Sequence, residues 1–204
     1  MAKGSGMVHP NMATILCFIT TDACMQAKAM QSMLKRATAV SFNTLSVDGD
    51  TSTNDTLIMM ANGATGISPS SDKDLRIFED ALTEILSNIA RLIVFDGEGA
   101  SKTMKIRVSG APDDQEARRI ARCVASSDGI KTALGHGSVP ESFVLAIAGA
   151  AESTADFSTV SCHVQNNYDT TIIDISFKDG NGRAEAYGCD LNDEYIRLNA
   201  FYRT

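Results

Sequence analysis

The chain has no CxxC pair, no excess of basic residues and no long apolar run. Each absence removes a class of protein. The five cysteines (Cys17, Cys24, Cys123, Cys162, Cys189) are odd in number and irregularly spaced. They therefore read as thiols in a reducing compartment, with neither a disulfide framework nor a zinc site, and three of them lie in apolar stretches as small core residues. The three histidines, His9, His136 and His163, show no metal-ligand spacing. Lys and Arg total 18 against 25 Asp and Glu, giving a net charge of −7. With no basic cluster, that balance argues against nucleic acid as a partner. No stretch approaches the roughly 20 apolar residues of a membrane span, and the Gly-rich start lacks a signal-peptide core. There is no G-x-x-x-x-G-K-[ST] phosphate loop, no G-x-S-x-G and no Ser-His-Asp set.

What is present suits an ordinary globular protein of one domain or two small ones. Of 204 residues, 44% are hydrophobic and 21% charged, enough apolar material for a sizeable core. Thr14–Thr21 reads as a buried strand. A helix over Ala27–Phe42, capped by Asp22, has Met30, Met33, Leu34, Ala37 and Val40 at helical spacing. The polar loop Asp48–Asp55 leads to a strand at Thr56–Ala61 and a turn at Asn62-Gly63. A long helix from Asp72 puts Leu75, Phe78, Leu82, Ile85, Leu86, Ile89 and Leu92 on one face, and Asp96-Gly97-Glu98-Gly99 ends it. Met104–Ser109 alternates as a strand. A third helix runs from Pro112-Asp113-Asp114 to about Asp128-Gly129, and a fourth covers Pro140–Ala150. Thr159–Val164 and Thr171–Phe177 form a hairpin across Asn166-Asn167, followed by strands at Arg183–Gly188 and Tyr195–Asn199. The order implies a layered α/β or α+β fold, not a doubly wound nucleotide fold.

Few local patterns carry chemistry. The Asp48–Asp55 loop lacks the Gly and Glu of a calcium-binding EF-hand, Met59 occupying the twelfth place. Its side chains more simply satisfy backbone groups near a site. Glu98 stands in a helix-stopping turn, and its functional alternative is to bind an ammonium group. Ala13-Thr14, after a glycine-rich approach and before an apolar strand, has the layout of a self-cleaving nucleophile. The Thr hydroxyl attacks the preceding carbonyl, and the amine that is freed then serves as base for the same hydroxyl. Most Thr residues are structural, so the pair alone decides little.

Five blocks in order change that weight. They are Lys3-Gly4-Ser5-Gly6-Met7 with Pro10-Asn11-Met12-Ala13-Thr14 and Thr20-Thr21-Asp22-Ala23; Val47 to Thr56; Asp96-Gly97-Glu98-Gly99-Ala100-Ser101-Lys102; Lys131-Thr132-Ala133; and Tyr187 to Leu191 with Tyr195 to Thr204. Together they span nearly the whole chain. The sequence resembles the ornithine acetyltransferase (glutamate N-acetyltransferase) family of arginine biosynthesis. Two segments depart from it. Leu134 to Phe143 replaces the family's Asp-Pro-Asn-Trp-Gly-Arg region, and a short turn stands where members usually carry extra residues after Val164.

The resemblance implies a layered sandwich of helices and mixed sheets, of N-terminal-nucleophile type, and a self-cleaved acyltransferase. The cut falls between Ala13 and Thr14. Thr14 then takes acetyl from N-acetyl-L-ornithine and passes it to L-glutamate in a ping-pong reaction. Lys3, Glu98, Asn199 and Thr204 match the remaining substrate contacts, and no metal or organic cofactor is implied. Acetyl-CoA remains open as a further donor. By the same resemblance residues 1–13 are the tail of the upstream chain, 14–111 a nucleophile-bearing α/β region and 112–204 a C-terminal α/β region. The expected partner is an upstream (alpha) subunit, with its Thr-Gly oxyanion hole, in a heterotetramer of two alpha and two beta chains. The expected setting is the cytoplasm, or the mitochondrial matrix in a eukaryote, with no membrane or nucleic acid engaged. Two alternatives stay open: a non-catalytic fragment or assembly subunit of the same fold, and a Thr-nucleophile amidohydrolase with water as acceptor.

Overall fold

Alternating side chains dictate two sheets, and helices cover one face of each. The structure, a computed structural model, describes residues 1–9, 15–54, 56–178 and 180–200. In the first sheet β1 (Ala2–Lys3) pairs antiparallel with β2 (Leu16–Thr21), which pairs parallel with β4 (Thr56–Ala61). Cys17 on β2 points into a core shared with α1 (Ala27–Ala39) and α2 (Asp72–Phe95), while Leu16, Phe18, Ile58 and Met60 point away from it. This is the two-residue period of a strand read directly as inside and outside.

The second sheet has the order β3 (Leu45–Ser46), β8 (Gly182–Cys189), β5 (Thr103–Ala111), β7 (Thr170–Ser176), β6 (Ser161–Asn166). The β3–β8 and β5–β7 pairs are parallel, and the β5–β8 and β6–β7 pairs are antiparallel. Met104, Ile106 and Val108 on β5 are buried together, as their alternation requires. They pack beneath α3 (Asp114–Ala125), α4 (Asp128–Gly135) and α5 (Glu141–Gly149). α3 lays Ala117, Ile120, Ala121 and Val124 on this sheet. Its start is fixed by Asp113, whose carboxylate accepts from the Gln115 and Glu116 amides at 2.8 and 2.9 Å, a cap worth about 1 kcal/mol.

Several expectations are corrected. Tyr195–Asn199 is not a strand but part of α6 (Asp193–Asn199). Asn192 accepts from the Glu194 and Tyr195 amides, and Asp193 and Glu194 in the first turn favour the helix start. The third helix ends at Ala125, and a separate α4 begins after Ser127, whose hydroxyl accepts from the Ile130 amide. The first helix starts at Ala27 and ends at Ala39, with Phe42 in a following 3-10 turn. Asp22 does not cap it; its carbonyl accepts from the amide and hydroxyl of Thr65. On α2 the buried line is Leu82, Leu86, Ala90 and Ile93, while Ile85 and Leu92 are 51% and 67% exposed. The helix meets the core along a narrower stripe than its apolar residues cover. Cys17 and Cys189 are core residues and Cys24 is exposed.

Candidate functional site

The N-terminal segment, the turn after α2 and the last helix meet at one cavity of about 500 Å³. Its walls include Lys3, Gly6, Asn54, Glu98 and Asn199. Pairing of Lys3 with Leu16 fixes the segment's start. The Glu98 amide then donates to the Ser5 carbonyl at 2.9 Å, tying the turn to the same segment. With Glu98 in this position, the approach leaves room for glycine alone. A Cβ on Gly6 would come 2.6 Å from a Glu98 carboxylate oxygen.

The turn is shaped from the other side by α6. Gly99 has φ +71°, and a Cβ there would run into the Tyr195 backbone. Asn192 Nδ2 donates to the Gly99 carbonyl at 2.7 Å and to Asp190 at 2.9 Å. Asp190 is 1% exposed and accepts from the Ser101 and Lys102 amides and the Ser101 hydroxyl at 2.7–2.9 Å. Burial pushes its carboxyl up, but these hydrogen bonds outweigh burial and hold it below the usual carboxylate range. With the turn and α6 fixed, Asn199 Nδ2 donates to Glu98 Oε2 at 3.1 Å and to the Tyr195 carbonyl at 3.1 Å.

The loop at 48–54 braces the segment from below. Asp48 accepts from the Met7 and Val8 amides at 2.6 and 2.9 Å, and from the Tyr195 hydroxyl at 3.4 Å. Burial and the Asp48 charge push the Tyr195 hydroxyl up to about 12, so it stays a donor across the neutral range. Thr51 donates to the His9 carbonyl.

Behind this loop lies Lys131, fully buried on α4. Its ammonium donates to the carbonyls of Ser46, Val47 and Cys189 at 2.8, 3.0 and 3.1 Å. Burial lowers its pKa, and the negative charges of Asp48, Asp128 and Asp190 oppose that shift. The Lys131-Thr132-Ala133 block marks this lysine in sequence, and it does not say which carbonyls the side chain will reach.

Of the residues expected at the site, Lys3, Glu98 and Asn199 line this cavity together. Ala13, Thr14 and Thr204 lie outside the described residues. Sequence reasoning missed Gly6, Asn54 and Asp48 as individual contributors. Among the described residues no group of three or more His, Cys, Asp and Glu is placed to hold a metal ion. Among the same residues no helix is long and apolar enough to cross a membrane.

The class is a mixed α/β protein with a charged cavity of small-molecule size at a glycine-lined strand end. The ArgJ family profile matches residues 1–172, and the chain belongs to this family. It is 41% identical, over its whole length, to the arginine biosynthesis bifunctional protein ArgJ of Dehalococcoides mccartyi, covering 56% of that protein. The corresponding figures for ArgJ of Thermus thermophilus are 39% and 58%. The chain thus spans about half the length of the curated relatives it matches. Among solved structures, ArgJ of Bacillus halodurans superposes with a TM-score of 0.86 at 31% identity, over 93% of this chain and 100% of that one.

Proposed function

We propose that this chain is the nucleophile-bearing part of a glutamate N-acetyltransferase, acting with an upstream subunit in arginine biosynthesis. The observation that carries the reading is the meeting of Lys3, Glu98 and Asn199, from three distant segments, at one cavity. That cavity offers a cation for a carboxylate and a carboxylate for an ammonium, the two charged groups of N-acetyl-L-ornithine. The family profile and the named relatives support the same pathway.

The chemistry starts with cleavage. Thr14 Oγ attacks the Ala13 carbonyl and its proton passes to the Thr14 nitrogen, so the amide becomes an ester with a free amine; water then hydrolyses the ester to an Ala13 carboxylate and the Thr14 hydroxyl. That amine takes the hydroxyl proton as Oγ attacks the acetyl carbonyl of N-acetyl-L-ornithine. The C–N bond breaks, the proton goes to the departing ornithine amine, and acetyl stays on Oγ. The amine of L-glutamate attacks this ester, and Thr14 Oγ recovers its proton. Lys3 holds the substrate carboxylate. Glu98, oriented by Asn199, holds the side-chain ammonium of N-acetyl-L-ornithine, and Thr204 supplies a further substrate contact. An upstream Thr-Gly pair supplies the oxyanion hole, commonly the largest electrostatic contribution to acyl transfer. The reading includes an assembly of two alpha and two beta chains in the cytoplasm, with residues 1–13 as the upstream tail.

The test is to co-express the chain with an upstream half and follow intact mass and acetyl transfer. A fragment beginning at Thr14 is expected, together with labelled acetyl on that residue and its passage to glutamate. Thr14→Ala should abolish all three. Transfer that persists in Thr14→Ala, or acetyl that passes only to water, rejects the proposal.

A further inference from the structure

A second cleft shares no lining residue with the cavity of Lys3 and Glu98. Its volume is about 570 Å³, within the range of small-molecule sites. α3 turns its apolar face to the second sheet and presents Gln115, Arg118, Arg119, Arg122 and Ser126 to this cleft. His9 closes one side, and Glu152 lies at the other.

Three guanidinium groups at one cleft stand out in a chain of net charge −7. Arg119 is committed: it donates to the Glu152 carbonyl at 3.1 Å and lies 3.7 Å from Glu116. Glu116 is itself engaged by the Ser153 hydroxyl and the Thr154 amide. Arg118 and Arg122 differ. Among the described residues neither has a carboxylate within ion-pair distance. The one side-chain hydrogen bond of Arg122 among those residues is to His9 Nε2, at 3.3 Å. His9 Nδ1 faces the Ser46 hydroxyl at 3.4 Å. Burial, then Arg122 and Lys131, lower the His9 pKa, which suits a neutral ring accepting at Nε2. The Arg122 guanidinium is partly buried, and among the described residues most of its five N–H donors have no hydrogen-bond partner.

We propose that this cleft binds a small molecule carrying adjacent phosphoryl groups, gripped by Arg118 and Arg122 with Arg119 at the rim. Planar guanidinium groups form forked, charge-assisted hydrogen bonds to phosphate oxygens. At i and i+4 on one helix, the two side chains start about 5–6 Å apart. That spacing suits two linked phosphates better than a single ion. Without an anion, two like charges one turn apart repel, and a half-buried cation is desolvated without return. A bound polyanion relieves both.

The test titrates inorganic pyrophosphate into the 204-residue chain at near-physiological salt, following the imidazole resonances of its three histidines and the melting temperature. Saturable binding should shift His9, leave His136 and His163 unmoved, and raise the melting temperature. Arg118→Gln with Arg122→Gln should weaken binding at least tenfold, and Arg122→Lys should fall between. Glu98→Gln, at the other cavity, should bind as the unaltered chain does. Arg118→Gln alone, at a partly exposed position, serves if the double variant fails to fold, with a smaller loss expected. Binding that does not saturate, that leaves His9 unmoved, or that survives loss of Arg118 and Arg122 overturns the proposal. Tighter binding of citrate than of pyrophosphate overturns the phosphate assignment.

Discussion

Asn199 reaches across 101 positions of sequence to donate its side-chain amide to Glu98. One of the two carboxylate oxygens of Glu98 is thereby held by α6, and the other is left to the cavity. The arrangement makes the last helix part of the site, because Asn199 is itself anchored to the Tyr195 carbonyl within that helix.

Asn199→Ala removes this bond while leaving the core untouched. A hydrogen bond to a charged group contributes about 1.5–3 kcal/mol. On the proposed function, KM for N-acetylornithine in the reconstituted two-piece assembly should rise roughly tenfold, and the melting temperature should fall by a few degrees as the bond to the carboxylate is lost. Steady-state kinetics check this, and an unaltered KM and kcat would remove Asn199 from the site.

Gly6→Ala tests the tight approach from the opposite wall. The new methyl would stand 2.6 Å from the Glu98 carboxylate, the far end of a flexible side chain. The carboxylate should move away while the fold survives. Expected are a higher KM and an unfolding midpoint close to that of the unaltered chain. A large drop in that midpoint with normal kinetics would place the strain in the backbone instead.

Asp190→Asn probes the brace beneath the turn. The folded state holds this carboxyl below its ordinary value, so its contribution is present above the unfolded-state value near 3.9 and is lost as pH falls through the folded one. The amide cannot accept from all of Ser101 and Lys102, and a loss of about 2 kcal/mol at neutral pH is expected. Urea unfolding at several pH values should show the gap between variant and parent narrowing below pH 4. A gap that stays constant with pH would mean the charge of Asp190 contributes nothing.

Lys131→Met keeps the volume and removes the ammonium. The carbonyls of Ser46, Val47 and Cys189 then lose a shared donor inside the protein. A cost of about 3 kcal/mol or more is expected in denaturant unfolding. The Asp48 loop should loosen as well, read as faster hydrogen exchange at the Met7 and Val8 amides, whose acceptor is Asp48. A stable variant with unchanged exchange would show that these carbonyls find other partners.

Local pattern was enough wherever one period dominated. The Thr56–Ala61 strand, the Asp72 helix start and the inward line of Met104, Ile106 and Val108 follow from spacing alone, because burial of one face is all they require. Tyr195–Asn199 shows the limit. Its Ile196 and Leu198 alternate with Arg197 and Asn199 like a strand, but the cap at Asn192 sets a helix and leaves Ile196 and Leu198 largely exposed. Over seven residues the first turn's hydrogen bonds outweigh a weak periodicity.

The sequence by itself determined the class of fold, the family blocks and the identities of Lys3, Glu98 and Asn199 as residues to watch. Only the tertiary structure decided that these three share a cavity, that Gly6 must be small beside Glu98, and that Asp48 and Lys131 hold the segment in place. The division has a physical cause. Periodicity and capping act within a few residues, whereas a site forms from contacts whose partners are chosen by packing across the whole chain.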